Sequence, residues 1–491
     1  MSPVEPLPAW QTALPALPPL LMLLGGLWGM RASLRPGWRL GLVLIAAALV
    51  RAVVLPLERH EFDGHEAEYR DIFLGIRPLS QGGTMLYPAM QWLCRGLGVL
   101  FAPHAGVLLA FSLVAGLVSI AALYGATRRL AGETVGLGAA IALAAWGNHA
   151  FWSVSAYNVI VPHALAWTAL WALAAAGDRP VAAGFLAGGA AALAVATRLE
   201  SALVAPAGLL LLALSWPRGG WRMLPGLALG AIFGALSAYT VLYSGQTPGE
   251  EQRALALSIN RGLLVDFAPF DQPLLLGVVA LGFGIGLVAA PRLFGPLGVL
   301  VVGTHLASAS FDDYGFRHLL NAEAGVAAML GALLGRRWGA LPFGGALLGL
   351  ALHTRDVATR FYASEDALAA ALEGLPELSW SEVRSCALVC EDSRILPEEE
   401  QKSHFNLLDA EETDALRAER GCVYWLYGVQ DHRWSSRAVR DRALRLQRLY
   451  DMRLRGVVKD PGRGYVGLVL EPLQRRAVSP LTPAPPQSWH P

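Results

Sequence analysis

Residues 38–71 read WRLGLVLIAAALVRAVVLPLERHEFDGHEAEYRD. The first twenty carry two arginines in an otherwise apolar run, about the length a helix needs to cross the hydrocarbon of a bilayer. The next fourteen reverse the chemistry: six acids (Glu58, Glu61, Asp63, Glu66, Glu68 and Asp71) stand beside His60, His65, Arg59 and Arg70. An apolar span that runs into a dense ionisable segment predicts a membrane helix whose functional groups gather at one bilayer surface.

The rest of the chain fits that solvent. Of 491 residues, 54% are hydrophobic and 16% charged, and the mean hydropathy is +0.43. Soluble domains run near 25% charged, so an ordinary soluble enzyme is excluded, as is a disordered chain. A net charge of +1 gives no electrostatic case for nucleic acid, and four cysteines make no disulfide framework. Charge is unevenly placed. Residues 1–352 are about 10% charged and residues 353–491 about 29%, which predicts a membrane domain over 1–352 and a soluble domain over 353–491.

Apolar segments recur at 14–30, 38–57, 104–126, 134–150, 159–176, 181–197, 200–216, 223–243, 273–290, 293–310, 319–335 and 339–352. They predict an all-α polytopic bundle of about 11–12 transmembrane helices. The first is the weakest, being interrupted by Pro15, Pro18 and Pro19, and it does not read as a cleaved signal peptide. Arginines at 31, 35 and 39, at 128 and 129, at 179, at 218 and 222, at 292, and at 336 and 337 fall in alternate connections that hold few acids. The positive-inside rule assigns those to the cytoplasm. The loop 58–103, the turn at Arg198–Glu200, the 244–272 connection, the turn at Asp312–His318 and the soluble tail are then extracytoplasmic. No internal repeat and no charge pair at the bilayer midplane is read, which argues against a transporter. His149 and His163 read as structural.

Crowded carboxylates raise one another's affinity for protons, the condition for a general base near neutral pH, so 58–71 is a candidate catalytic loop as well as a plain solvated one. His60, His65, Glu61 and Glu66 lack any standard metal-ligand spacing, so no metal site is assigned. Residues 85–100, with Tyr87, Trp92 and Arg95, read as an amphipathic helix along the membrane surface.

The element Asp63-Gly64-His65-Glu66-Ala67-Glu68-Tyr69 after a membrane helix resembles the first outer loop of the type C (GT-C) integral membrane glycosyltransferases. These are the superfamily of protein O-mannosyltransferases and lipid A aminoarabinose transferases. Three later stretches are similar to elements of that superfamily in order and sidedness: FWSVSAYNVIVPH at 151–163, Thr197-Arg198-Leu199-Glu200, and Tyr314-Gly315-Phe316-Arg317-His318. Members commonly carry an adjacent Asp-Glu pair in the first loop, with the Asp as base; here His65 stands at the Asp position.

The resemblance implies a GT-C-like fold and an inverting transfer of a monosaccharide from a polyprenyl-phosphate donor to an extracytoplasmic glycan, lipid or protein; no cofactor is read from the residues, with a divalent metal at His60, His65, Glu61 and Glu66 as the alternative. It implies Asp63, His65 or Glu66 as base and Arg317 as donor-phosphate contact, with Arg198 or Arg261 beside it. Tyr69, His318 and Asp313 become candidate substrate contacts. The alternatives are a non-catalytic relative that binds lipid-linked glycan, and a transporter.

The tail has strand composition at 386–390, 423–428, 452–459 and 464–470, the last two flanking the turn Asp460-Pro461-Gly462-Arg463, and helical patterns at 364–375 and 435–449. It reads as a small α/β domain. Cys386 or Cys390 is the expected partner of Cys422 in an oxidising compartment.

Overall fold

The computed structural model describes residues 16–31, 37–54, 65–77, 79, 87–101, 104, 106–155, 159–177, 179–215, 219–243, 273–310, 320–361, 386–390, 410–428, 450–460 and 465–475. Two compact units divide the chain, Met1–Tyr362 and Ala363–Pro491. The helix at the end of the first unit runs unbroken through 352, the boundary expected from charge.

The first unit is helical: α1 (Leu17–Met30), α2 (Trp38–Val54), α3 (His65–Leu74), α4 (Pro88–Phe101), α5 (Gly106–Ala131), α6 (Glu133–Ala144), α7 (Gly147–Trp152), α8 (Ile160–Ala174) and α9 (Pro180–Thr197). After a 3-10 turn at Leu199–Val204 come α10 (Ala205–Ser215), α11 (Leu224–Tyr243), α12 (Pro273–Ala289), α13 (Pro291–Ser310), α14 (Leu320–Leu333) and α15 (Ala340–Phe361). Among the described residues, Gly106–Ala131, Pro180–Thr197 and Gly220–Tyr239 are long and apolar enough to cross a membrane, and eight apolar helices are shorter. Two expected spans are broken rather than continuous: 134–150 divides at Ala145 and Trp146 into α6 and α7, and 200–216 opens with the 3-10 turn.

Small residues are frequent inside, and many large apolar residues lie outside. Leu21, Trp28, Leu42, Leu49, Val288 and Leu341 are all exposed, whereas α14 is buried along nearly its whole length. A water-soluble bundle would not expose so many large apolar side chains. With lipid outside, helices gain little by hiding leucine and more by close backbone approach through glycine and alanine. α9 (PVAAGFLAGGAAALAVAT) shows this, packing on α1, α8 and α11. At its crossing with α11 a Cβ on Gly230 would collide with the backbone of Gly188.

Described residues of the second unit form a four-stranded sheet in the order β1 (Ala387–Cys390), β2 (Val423–Gly428), β4 (Tyr465–Arg475), β3 (Tyr450–Asp460), with a helix, α16 (Ala410–Arg420), between β1 and β2. β3 and β4 are antiparallel and β1 pairs parallel to β2. Register chooses the disulfide. Ala387 faces Val423, so Cys386 and Cys422, one residue earlier on each strand, lie with Cα atoms 4.8 Å apart and are bonded, whereas Cys390 faces Leu426. Sequence patterning did not anticipate α16, and the helices expected at 364–375 and 435–449 lie outside the described residues.

Candidate functional site

The acid-rich element begins a helix. His65 and Glu66 occupy the first turn of α3, with side chains outside the described set. One turn on, Tyr69, Ile72 and Phe73 are buried. The end of α3 is fixed twice over. Gly75 takes the left-handed conformation (φ +78°), and the amides of Gly75 and Ile76 return to the carbonyls of Ile72 and Asp71, the double bond of a Schellman cap. Arg95 from α4 then donates to the Ile72 carbonyl at 3.2 Å. Asp71 is no free base, since it accepts from Arg70 Nε and Nη2 at 3.1 and 3.0 Å. Arg95 thus serves α3, and Cys94, buried in the same helix, has its thiol pushed up to about 12 by desolvation.

The cluster that receives α3 gathers the other elements. Tyr69, Ile72 and Phe73 share one buried apolar cluster with Met90 and Cys94 of α4, with Val159, Ile160 and Val161, and with Leu320; Trp152 and Leu199 pack against it. The residues flanking three separate sequence elements are therefore neighbours of the helix that His65 begins. Trp152 and Val159–Val161 belong to 151–163, Leu199 follows Arg198, and Leu320 comes two residues after His318. Arg198 is buried at the extended residue that ends α9 (φ −167°), where the chain turns into the 3-10 segment. Tyr69, a candidate substrate contact, is fully enclosed by this cluster. Asp63, Arg261, Asp313, Arg317 and His318 lie outside the described residues, as does the side chain of Glu200. Among the described residues no group of three or more His, Cys, Asp or Glu could hold a metal ion.

Beside the apolar cluster lies a polar group that sequence reasoning missed. Arg51 of α2 is fully buried; its Nη1 donates to the carbonyls of Ala47 and Ala144, and its Nη2 to His149 Nδ1 at 2.6 Å. A guanidinium only donates, so Nδ1 accepts and the imidazole proton sits on Nε2. That nitrogen lies 2.8 Å from Ser119 Oγ, whose own hydrogen goes to the Gly116 carbonyl. On the other side of α7, Asn148 Nδ2 donates to Glu323 Oε1 of α14 at 2.6 Å. His163 Nδ1 meets Asn321 Oδ1 at 2.8 Å, with its ring 5.4 Å from that of His149. Sequence reading gave no role to Arg51 or Glu323, and both are buried. A single ionisable residue inside an apolar span was the available signal. Its partner, 98 or 175 residues away, was not readable.

Comparison with known proteins adds one sequence finding. No curated protein matches the chain. A solved structure, the archaeal oligosaccharyltransferase AglB from Archaeoglobus fulgidus in complex with an inhibitory peptide and a dolichol-phosphate, aligns with 88% of this chain and 74% of its own. It does so at 11% identity and a TM-score of 0.43, a likeness too loose to carry an argument. The family model described as dolichyl-phosphate-mannose-protein mannosyltransferase matches residues 85–243. That match takes in α4, the 151–163 stretch and the Arg198 turn, and leaves out the acid-rich segment 58–71 and the 314–318 turn. From residue 85 to residue 243, then, the chain is similar to the dolichyl-phosphate-mannose-protein mannosyltransferase family.

Proposed function

We propose that the chain is a GT-C-type membrane glycosyltransferase that moves a monosaccharide from a polyprenyl-phosphate donor to an extracytoplasmic acceptor. The observation that carries this reading is the meeting of α3, the 151–163 stretch, the Arg198 turn and Leu320 of α14 in the cluster around Tyr69, together with the family match over 85–243. A donor of this kind cannot leave the bilayer, so its phosphate must be met near a headgroup plane. The acceptor hydroxyl gives its proton to a base from the first loop, Asp63, His65 or Glu66, while its oxygen forms the new bond to the anomeric carbon. The bond from that carbon to the phosphate breaks on the opposite face, which inverts the configuration. Arg317, with Arg198 or Arg261 beside it, takes up the charge on the departing polyprenyl phosphate. His318 and Asp313 are assigned to the substrate, and Tyr69 to anchoring the helix that carries His65 and Glu66. The bonded Cys386–Cys422 pair supports an oxidising side for the tail.

One observation favours a second reading, a relative that binds the lipid-linked sugar without turning it over: His65 stands where an Asp is common in the superfamily. The test is transfer from a labelled polyprenyl-phosphate sugar in proteoliposomes. Asp63→Asn with Glu66→Gln should fold and lose at least about 10²-fold in rate, the scale of a missing general base. Full activity in that double variant excludes Asp63 and Glu66 and leaves His65 as the candidate base of the loop.

A further inference from the structure

The polar group beside the apolar cluster has a direction. α7 is six residues long, and two adjacent side chains on it reach different helices: His149 accepts from Arg51 of α2, and Asn148 donates to Glu323 of α14. Arg51 lies in the last turn of α2 and Glu323 in the first turn of α14, and both are buried among apolar helices. Each is a costly residue there unless held. The group is not a good stabiliser on its own terms. Arg51 Nε, His163 Nε2 and Glu323 Oε2 are buried without a hydrogen-bond partner, and incompletely satisfied polar networks are worse for stability than apolar packing. What the network does supply is directional register between two particular helices. One of them runs into the 55–64 segment, and the other follows 311–319.

We infer that α7 is a relay in which Arg51 and Glu323 compensate one another through His149 and Asn148, and that both act as positioning residues holding the ends of α2 and α14 in fixed register. Neither touches the other, so the coupling passes through α7. The functional half of this inference rests on the glycosyltransferase reading, because that reading places the base after α2 and the phosphate contact before α14. The structural half stands without it.

The experiment is a double-mutant cycle on the full chain in lipid nanodiscs, with Arg51→Met, Glu323→Gln and the pair. Each single variant should lower the melting temperature by about 5 °C or more. The pair should lose clearly less than the sum, because it removes both members. Register is read by the spin-label distance between Ala52→Cys, exposed on α2, and Arg336→Cys, exposed beyond α14. Cys390→Ser is included in that background; Cys94 is buried, and Cys386 and Cys422 are bonded. The parent should give one narrow distance and the Arg51→Met/Glu323→Gln pair a broadened or shifted one. In transfer assays, with rates referred to the folded fraction, that pair should lose about tenfold or more in kcat with donor KM within about twofold. Additive melting losses, or an unchanged distance distribution in the pair, overturn the relay. A parent chain with no transfer activity overturns the glycosyltransferase reading, and the melting cycle and the distances still decide the relay.

Discussion

Two neighbouring parts of the membrane unit hold the same elements by different means. Around Tyr69, α3, α4 and the flanks of three sequence elements meet through apolar burial, which has no preferred direction and adapts to small changes of shape. Around His149, α2, α5, α7 and α14 meet through hydrogen bonds that tolerate neither a missing partner nor a shifted one. The first arrangement brings segments together; the second fixes how they face. An active site that must join a base from one loop to a phosphate contact from another needs both.

Breaking the directional part should cost most. His149→Leu leaves Arg51 Nη2 without its acceptor and Ser119 Oγ without its imidazole partner, and a loss of about 3–5 kcal/mol is expected, the scale for removing one partner of a buried charge. Ile72→Val in the apolar cluster removes one methylene and should cost only about 0.5–1.5 kcal/mol. Thermal unfolding of the two purified variants measures the contrast, and equal losses would dissolve the distinction between the two parts.

A smaller and more local effect sharpens the comparison from outside the bundle. Cys386→Ser removes a cross-link that closes 36 residues of separation, which should cost the C-terminal unit about 2–4 kcal/mol. Protease sensitivity should rise in residues 363–491 and stay unchanged in 1–362. Destabilisation of both units together would mean that their folding is linked.

The sequence showed the coarse plan because lipid imposes a coarse rule. Apolar runs marked most of the helices of the first unit. Finer features were lost where the deciding contact is distant. Arg51 was visible as an odd residue in a span, but its meaning depended on His149 and Glu323. The disulfide was narrowed to Cys386 or Cys390 with Cys422 and needed the parallel register of β1 on β2 to be decided. His65 and Glu66 were legible as chemistry, and their helix as a packed element only once Tyr69 and Leu320 were seen in one cluster.

The central claim is that the segment after α2 and the segment before α14 meet on one face of the membrane. Asp63→Cys and Arg317→Cys in the full chain, treated in intact cells with a short membrane-impermeant bifunctional maleimide, test it directly. The account predicts an intramolecular cross-link formed from outside the cytoplasm. Two cysteines labelled only from opposite sides, or both labelled from outside and never joined, would contradict it.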